Sequence, residues 1–376
     1  MTDVLIFADT IRSPELRHEV PVAVPDPFLY FERDGSRRAM LGSFEVERVS
    51  AAGIDAHPYE EFGSDELIAK GIPREEVDLE LALRAVQEWG VSRAVVPSAF
   101  PLELADRLRA NGVELTVDRD FFLHRRRVKN AAELAGIRRA QSGADAAMGA
   151  ARDLLRSAEA RNGSLVVEGE PLTCERVKLE IQRVFGERSL ASDEFIVSHG
   201  PQSAVGHDMG SGPIAPGESI VIDLWPRDRE SACYADMTRT FVVGEVSDEL
   251  SAYHRLVYDA LQRSLETVRA GIEGRKVFEE ACEIFHQAGH PTQLSKKPGE
   301  VLDSGFYHGL GHGVGLEVHE QPWLGRSPGE LVAGDVVTLE PGLYRHGYGG
   351  VRLEDLAVVT GDGCENLTAF PYDLTP

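Results

Sequence analysis

The sequence predicts an α+β protein made of two domains of different character. The chain has 376 residues, which is more than a single hydrophobic core usually organises. Residues 1–125 alternate short apolar runs with helical periodicity, which favours a covered, partly parallel sheet. Residues 126–376 combine amphipathic helices with strand-like runs flanked by glycine, which favours helices packed outside a curved antiparallel sheet.

The first domain is predicted to open with a strand at Val4–Phe7, followed by a β-hairpin. Two strand-like runs, Phe28–Glu32 and Arg38–Leu41, flank Asp34-Gly35, a dipeptide typical of tight hairpin turns. The later elements alternate in type: a helix around Leu79–Val86, a strand at 94–97, a helix at 102–111 and a strand at 113–117. No cluster of catalytic residue types occurs in this domain.

The second domain follows a basic run, Arg125–Lys129, which is interpreted as a solvated linker. Apolar residues then recur every three or four positions from Leu134 to Leu154, which predicts a long helix with one face in the core. Three further helices are predicted, two of them after the N-cap residues Thr173 and Ser247 and the last at Lys276–Ala288.

The composition excludes some partners and locations. The chain has 39 basic and 62 acidic residues, giving a net charge of -23, which argues against a nucleic-acid or anionic-membrane partner. No apolar run approaches the roughly 18 residues of a membrane span, and the first residues carry acid where a signal peptide carries base, so a cytoplasmic protein is expected. The scattered cysteines are interpreted as small buried hydrophobes, not disulfides or zinc ligands: Cys174, Cys233, Cys282 and Cys364.

Carboxylates and histidines concentrate in the second domain. Asp223 ends one apolar run and Asp236 opens an alternating one, so the two runs are predicted to be neighbouring antiparallel strands whose carboxylates converge. The residues that follow in the same part of the chain are His308, His312, His319, Glu340 and Glu354. Carboxylate oxygens with one imidazole suit two divalent ions such as Mn, Co or Zn.

The joint pattern is more informative than any single residue. An acidic side chain at a strand end is ordinarily a solvated cap or turn residue, and three histidines among glycines can be a surface loop. Several gathered carboxylates, however, would repel one another without compensating positive charge, which metal ions supply most simply. The glycines at 309, 311, 313 and 315 further indicate backbone that approaches another strand or a ligand closely.

Four phrases in this part of the chain resemble a known family, the pita-bread metallopeptidases. Asp236-Met-Thr-Arg-Thr, His308-Gly-Leu-Gly-His312, Leu339-Glu-Pro-Gly and Val351-Arg-Leu-Glu-Asp355 are similar to the aminopeptidase P and prolidase branch more than to methionine aminopeptidase. The resemblance implies a pita-bread catalytic domain over residues 126–376. It also implies a smaller α/β domain over residues 1–125, similar to the N-terminal domain of the creatinase and prolidase group. In that group this domain helps to form a homodimer and rims the partner's active site.

The resemblance also implies a dinuclear metal centre. Asp236 and Glu354 would bridge two divalent ions, Asp223 would complete the coordination of one, and His312 and Glu340 that of the other. Manganese is the expected metal, with cobalt or zinc as alternatives. Glu340 would in addition carry the proton from the attacking water to the leaving amine.

Four more residues receive roles around that centre. His308 and His319 match the family's histidines that hold the prolyl side and polarise the carbonyl, and His207 matches a third histidine at the substrate pocket. Arg352 precedes Glu354 by two residues, so on one strand both side chains point to the same face. Arg352 is therefore expected to orient a metal-binding carboxylate.

The chain departs from this family between its two aspartates. The interval from Asp223 to Asp236 is two residues longer than is usual in the family, and Trp225 stands where the family has glycine. Both carboxylates can still meet if the extra residues loop out.

A second departure bears on the substrate. Prolidases continue the His-Glu-x-Pro phrase with an arginine that binds the dipeptide's carboxylate, whereas Trp323 follows Pro322 here. This favours an aminopeptidase P-like exopeptidase that removes the residue before proline from longer peptides. A prolidase is the alternative, with Arg326 replacing the missing arginine. A creatinase-like hydrolase and a metal-free binding module are further alternatives, and the retention of all five ligands argues against both.

Overall fold

The computed structural model describes residues 3–376, and the chain divides into two compact units, Met1–Arg126 and Arg127–Pro376. Within residues 3–126 one sheet contains six strands: β1 (Val4–Ala8), β2 (Phe28–Arg33), β3 (Ser36–Leu41), β4 (Asp55–Pro58), β5 (Arg93–Val96) and β6 (Glu114–Val117). The helices of this part are α1 (Pro14–Glu19), α2 (Val46–Ala51), α3 (Ser64–Ala69), α4 (Arg74–Glu88), α5 (Leu102–Ala110) and α6 (Arg119–Arg127).

The first sheet is partly parallel and covered on both faces, as predicted. Its strand order is β4-β3-β2-β1-β5-β6, with parallel pairing of β3 with β4, β1 with β5, and β5 with β6. Successive residues of β1 point to opposite faces, so Leu5 joins one apolar cluster while Val4 and Ile6 join another. The predicted hairpin is also confirmed: β2 and β3 pair antiparallel around Asp34 and Gly35, whose φ angles of 54° and 79° suit a tight hairpin turn.

The interpretation of Arg125–Lys129 as a solvated linker is wrong. The first three residues of this run belong to α6. Among the ion pairs of the run, Arg125 joins Glu19 and Glu32, Arg127 joins Asp335, and Lys129 joins Glu320. Because buried carboxylates such as Asp335 and Glu320 require a compensating charge, these basic side chains neutralise internal acids and are not left to solvent.

The second unit is built from long helices and antiparallel strands. Its helices are α7 (Ala131–Arg156), α8 (Cys174–Glu187), α9 (Asp248–Thr267) and α10 (Gly274–Gln287). Its strands are β7 (Glu159–Arg161), β8 (Ser164–Val167), β9 (Glu170–Pro171), β10 (Leu190–Ala191), β11 (Ile196–His199), β12 (Ser219–Leu224), β13 (Arg227–Asp228), β14 (Met237–Val242), β15 (Ser304–Gly305), β16 (Gly311–Gly313), β17 (Glu320–Leu324), β18 (Val336–Leu339), β19 (Gly342–Arg345), β20 (Gly349–Arg352), β21 (Asp355–Val359) and β22 (Cys364–Asn366).

The helices of this unit begin and pack as the sequence predicts. Thr173 and Ser247 accept hydrogen bonds from the first turns of α8 and α9, and Asn130 with Glu133 forms a capping box at the start of α7. The apolar stripe of α7 lies in a core cluster with β12 and β14, whereas α9 and α10 share a second cluster with β18, β19 and β20. The antiparallel sheets are thus covered by helices that form two cores.

Two remaining expectations concern cysteines and membrane helices. Cys174, Cys233 and Cys282 are buried free thiols, as predicted, whereas Cys364 is only partly buried. Over residues 3–376 no helix combines the length and the apolar character that crossing a bilayer requires.

Candidate active site

A cavity in the second unit brings together every residue to which the sequence assigned a site role. Its volume is about 650 Å³. Nine predicted site residues line this cavity: His207, Asp223, Asp236, His308, His312, His319, Glu340, Arg352 and Glu354. They come from three sheets and the loops between them, so the cavity lies where these sheets meet.

The two aspartates converge because β12 and β14 pair antiparallel. Asp223 lies opposite Thr238 in this pairing, and Asp236 precedes Thr238 by two residues, so it lies on the same face of the sheet. The residues between the strands form an ordered hairpin: its β13 pairs with β10, and Asp228 binds the guanidinium of Arg139 at 2.8 Å. The extra residues of this interval therefore loop out without separating the carboxylates.

The glycine-rich run places His312 on the short strand β16. A Cβ at Gly311 would collide with the Thr338 carbonyl oxygen, and one at Gly313 with the Gln321 carbonyl oxygen. Glycine is therefore required at both positions for the close approach of neighbouring strands. The backbone N–H of His312 donates to Thr338 Oγ1 at 3.1 Å, which fixes the strand behind the imidazole.

Three of the predicted ligands already lie within reach of a single ion. Asp236, His312 and Glu354 each offer one ligand atom, and these atoms lie within 4.8 Å of one another. The Nε2 atom of His312 is 3.8 Å from Asp236 Oδ2 and 3.7 Å from Glu340 Oε1. Glu354 is oriented by Thr238, whose hydroxyl donates to Glu354 Oε2 at 2.7 Å. The cluster thus combines three carboxylates with one imidazole.

The fifth predicted ligand, Asp223, is held by Arg352. The guanidinium donates from Nη2 to Asp223 Oδ2, from Nη1 to the Tyr344 hydroxyl at 3.2 Å and from Nε to Thr238 Oγ1 at 3.2 Å. β20 ends at Arg352 and β21 begins at Asp355, so Glu354 lies in the bend between them. Both Arg352 and Glu354 nevertheless face the same cavity.

The environment of the cluster disfavours the ionised form of three of its carboxylates. Burial first, and then repulsion from neighbouring carboxylates, raise the pKa of Asp236 and of Glu354 well above the usual range. Burial raises the pKa of Glu340 to about 8, although Arg352 opposes the shift. Burial, together with His319, lowers the pKa of His312 to about 3, so this imidazole is neutral and able to bind a metal.

These observations fit divalent metal ions. Among residues 3–376 no hydrogen-bond donor meets the buried atoms Asp223 Oδ1 and Asp236 Oδ1. A buried carboxylate oxygen without a partner is costly, and a bound cation would remove that cost. Carboxylate oxygens with one imidazole are a donor set that Mn²⁺, Co²⁺ and Zn²⁺ accept.

The three further histidines take different positions in the cavity. His308 is locked: Nδ1–H donates to the Gly309 carbonyl oxygen at 2.7 Å, and Nε2 accepts from the Tyr344 hydroxyl at 2.8 Å. Burial and the charge of Arg352 lower the pKa of His308 to about 3, so it is neutral. His319 and His207 are exposed to the cavity, and the His319 ring lies edge-on to His312 with centroids 4.2 Å apart.

Tyr344 and Thr238 are site residues that the sequence did not indicate. Tyr344 lies on β19 and joins Arg352 to His308 through its hydroxyl. Nothing in its sequence context marks it, because Arg352 lies on the neighbouring strand β20 and His308 in a loop 36 residues away along the chain. Thr238 follows Asp236 by two residues in a strand, so the same alternation that located Asp236 would have placed it on the cavity face.

Trp323 and Arg326, the two residues that bear on substrate class, lie in different cavities. Trp323 is 46% exposed, lines the cavity and has its ring centroid 6.3 Å from that of His312, so it is not a core aromatic residue. Arg326 is exposed and lines an adjoining cavity of about 250 Å³, together with Phe278, Gln293, His308 and Gly309. His308 and Gly309 line both cavities. The cavity that contains Arg326 therefore adjoins the main cavity at His308 and Gly309.

The chain is similar to known metallopeptidases in sequence and in fold. The model of metallopeptidase family M24 matches residues 135–361. A protein named Xaa-Pro dipeptidase from Pyrococcus horikoshii is 31% identical over 300 residues, which cover 78% of this chain and 76% of that protein. The crystal structure of the prolidase from Pyrococcus horikoshii OT3 matches with a TM-score of 0.77 and 25% identity, covering 100% of this chain and 95% of that one. The X-Pro aminopeptidase structure from Thermotoga maritima matches with a TM-score of 0.79 and 21% identity over 99% and 97% of the two chains, which shows a shared fold.

Proposed function

Because the chain belongs to metallopeptidase family M24 and has its pita-bread fold, we propose that it is a metal-dependent Xaa-Pro dipeptidase. It would hydrolyse the bond between the first residue and a following proline. The sequence alone favoured longer peptides as substrates, on the ground that tryptophan replaces an arginine at position 323. The dipeptidases among the relatives favour the alternative, and so does the position of Arg326.

The observation that carries the dipeptide assignment is the cavity beside His308. A dipeptide places its terminal carboxylate one residue beyond the scissile bond, and a desolvated carboxylate needs a cation with hydrogen-bond donors. Arg326 supplies a guanidinium in the cavity that adjoins the carboxylate cluster at His308. Phe278 lines the same cavity and offers an apolar wall to the proline ring. A substrate spanning His308 would thus have its amino end at the carboxylates and its acid end at Arg326.

The metal centre would use the five clustered ligands. We propose that Asp223, Asp236, His312, Glu340 and Glu354 hold two divalent ions, with Mn²⁺ preferred and Co²⁺ or Zn²⁺ as substitutes. When bound, such ions lower the pKa of water and polarise the scissile carbonyl. The proposal rests on the unpartnered carboxylate oxygens and on the neutral imidazole described above.

Glu340 is proposed as the group that moves the proton. Its carboxylate lies 3.7 Å from His312 Nε2 and 3.9 Å from His308 Nδ1, between the metal cluster and the prolyl side. From there it can take a proton from the attacking water and deliver it to the leaving proline nitrogen. The proton is required because an amide nitrogen leaves as an amine and not as an anion.

The histidines and Arg352 would position the substrate and the ligands. His308 has both ring nitrogens engaged, so it presents its ring face to the proline. His319 is exposed to the cavity and, being neutral, can donate its N–H to the carbonyl oxygen as negative charge develops there. His207 would assist at the cavity entrance, and Arg352 would keep Asp223 in the orientation that ligates metal.

The partner of this chain is proposed to be a second copy of itself. The resemblance of residues 1–125 to N-terminal domains of the creatinase and prolidase group supports a homodimer. Sedimentation equilibrium on the purified protein would test this, since the mass of one chain is 41.2 kDa.

The function is tested by hydrolysis after metal loading. The protein is stripped with a chelator, reloaded with Mn²⁺ and assayed on Ala-Pro, Ala-Pro-Ala and Ala-Ala. We expect metal-dependent cleavage with the highest kcat/KM on Ala-Pro and no comparable cleavage of Ala-Ala. Cleavage without metal, or equal cleavage of Ala-Ala, would exclude the proposed function.

A second candidate remains an aminopeptidase P-like enzyme, which the exposed Trp323 favours. Its flat apolar face at the cavity could pack against the residues that follow proline in a longer peptide. A higher kcat/KM on Ala-Pro-Ala than on Ala-Pro would support this candidate.

A further inference from the structure

A small cavity lies behind one wall of the main one. Its volume is about 70 Å³. Trp225 and Val318 line both cavities and form the partition between them. The other walls of the small cavity are Ala191, Ser192, Asp193, Arg227 and Tyr234.

Trp225 is held firmly in this partition. It lies just beyond the end of β12, two residues after Asp223, and both residues line the main cavity. Its ring is half-buried and packs against the core cluster that contains α7 and β12. The hairpin that begins after it is tied down at Tyr234, whose backbone N–H donates to the Gly315 carbonyl oxygen at 2.8 Å. The partition is therefore part of the ordered scaffold.

The proposed orientation of the substrate would place its first side chain at this partition. In the proposed orientation the amino end of the substrate lies at the carboxylate cluster, and Asp223, a member of that cluster, precedes Trp225 by two residues. The leaving proline would lie at Glu340 and His308, which also line the main cavity. Because the amino group and the side chain share one Cα atom, a first residue bound beside Asp223 would have its side chain within reach of Trp225.

We propose that Trp225 sets the size limit for the first residue of the substrate. With the indole in place, the side chain of that residue cannot enter the small cavity and must fit within the main one. Ala-Pro and other substrates with a small first residue are therefore favoured. Removal of the indole would join the two cavities and admit a bulky first residue. The inference deepens the proposed dipeptidase function and rests on it.

The test is a graded series at position 225. The variants Trp225→Phe and Trp225→Ala are loaded with Mn²⁺ and assayed on Ala-Pro and Phe-Pro. We expect the ratio of kcat/KM for Phe-Pro to that for Ala-Pro to rise about tenfold or more in Trp225→Ala, and to take an intermediate value in Trp225→Phe. Trp323→Ala is the matched control: it removes an indole from the same cavity on the His312 side, and should leave this ratio at the wild-type value.

The outcomes separate this inference from the function on which it rests. A wild-type enzyme that cleaves neither dipeptide overturns the proposed function and this inference with it. A wild type that cleaves Ala-Pro, with a ratio unchanged in both Trp225 variants or raised equally by Trp323→Ala, overturns the size limit alone. If Trp225→Ala does not fold, as judged by its thermal unfolding, the Trp225→Phe ratio decides. Calorimetric titration measures the affinity for Phe-Pro directly. It is carried out on the Glu340→Gln protein and on the Glu340→Gln, Trp225→Phe double variant, and the two affinities are compared.

Discussion

Arg352 and Asp223 form a buried ion pair that joins the end of β20 to β12. Their side chains are only 6% and 14% exposed. The remaining guanidinium donors bind Thr238 and Tyr344, so Arg352 cannot turn away from the carboxylate. One oxygen of Asp223 is thereby fixed, and the other is left for a cation.

We expect Arg352→Ala to destabilise the metal-free protein strongly. Removing one partner of a buried ion pair leaves an uncompensated charge, which typically costs about 3–5 kcal/mol of unfolding free energy. Arg352→Lys should cost less, because the charge remains while the forked geometry is lost. Denaturant unfolding in the presence of a chelator measures both.

The matched control for this prediction is an exposed ion pair of the same type. Arg138 pairs with Glu365 at 2.6 Å, with side chains 43% and 52% exposed. Arg138→Ala should therefore change the unfolding free energy by only about 0–1 kcal/mol. Equal losses in Arg138→Ala and Arg352→Ala would contradict the structural role assigned to Arg352.

Asp236→Ala and Glu354→Ala should abolish activity and weaken metal binding. Each residue is proposed to contact both ions, and both approach His312 within metal-binding range. Wild-type protein should unfold at a higher temperature with Mn²⁺ than without it, because a ligand of the native state stabilises that state. Asp236→Ala and Glu354→Ala should lose most of this Mn²⁺-dependent increase in unfolding temperature. Glu365→Ala, which removes an exposed carboxylate, should keep it. A turnover equal to that of wild type in Asp236→Ala or Glu354→Ala would contradict the proposed dinuclear metal centre.

Glu340→Gln should lower turnover much more than it alters substrate affinity. The amide occupies the same space but cannot relay a proton. Metal content and kcat are measured on the same preparation. If the metal content falls in proportion to kcat, the effect is a loss of ligation and the proton-relay role of Glu340 is wrong.

Features that depend on short-range pattern were predictable from the sequence. Asp223 and Asp236 could be located because strand side chains alternate with a period of two, and Thr173 because an N-cap lies next to the helix it caps. The close approach at Gly311 and Gly313 could be predicted because only glycine permits it.

Features that depend on distant partners were not predictable. The basic run that contains Arg125 and Arg127 looks solvated in the sequence because their carboxylate partners are distant along the chain. Glu32 lies 93 residues from Arg125, and Asp335 lies 208 residues from Arg127. Tyr344 reaches His308 only through the meeting of separate segments. The exposure of Trp323 likewise follows from the cavity and not from its neighbours in sequence.

Part of the acid sensitivity of the fold should come from His254. Burial lowers the pKa of its imidazole, although its hydrogen bond to the Tyr372 carbonyl oxygen, 2.7 Å away, opposes the shift. The folded state therefore keeps His254 neutral, while the unfolded chain takes up a proton below a pH of about 6.5. Stability contributed by the neutral form is present above that pH and is lost as the pH falls towards the lowered pKa of the folded state.

The measurement is the unfolding free energy of wild type and His254→Gln at several pH values between 7.5 and 5, with metal chelated throughout. The loss of stability on acidification should be smaller in His254→Gln. His286→Gln, which replaces an exposed histidine at the end of α10, should retain the wild-type slope. Identical slopes in all three proteins would exclude His254 as a source of the pH dependence.

The last prediction concerns the choice between dipeptides and longer peptides, and it sets Arg326 against Trp323. In a dipeptide the proline carries a free carboxylate, and Arg326 lies in the cavity that adjoins the carboxylate cluster at His308. Losing a hydrogen-bonded charge partner of this kind costs about 1.5–3 kcal/mol. We therefore expect Arg326→Ala to lower kcat/KM on Ala-Pro by about 10- to 100-fold, with a much smaller effect on Ala-Pro-Ala, whose proline carbonyl is neutral.

Two further variants make this comparison decisive. Arg326→Lys keeps the charge and should retain part of the dipeptide preference. Trp323→Ala removes the apolar surface beside His312 and should weaken the tripeptide more than the dipeptide, because only the tripeptide has a residue beyond proline to rest on it. A wild type that prefers Ala-Pro-Ala, keeps that preference in Arg326→Ala and loses it in Trp323→Ala would make the enzyme an aminopeptidase P. The reverse pattern would identify Arg326 as the residue that confines the enzyme to dipeptides.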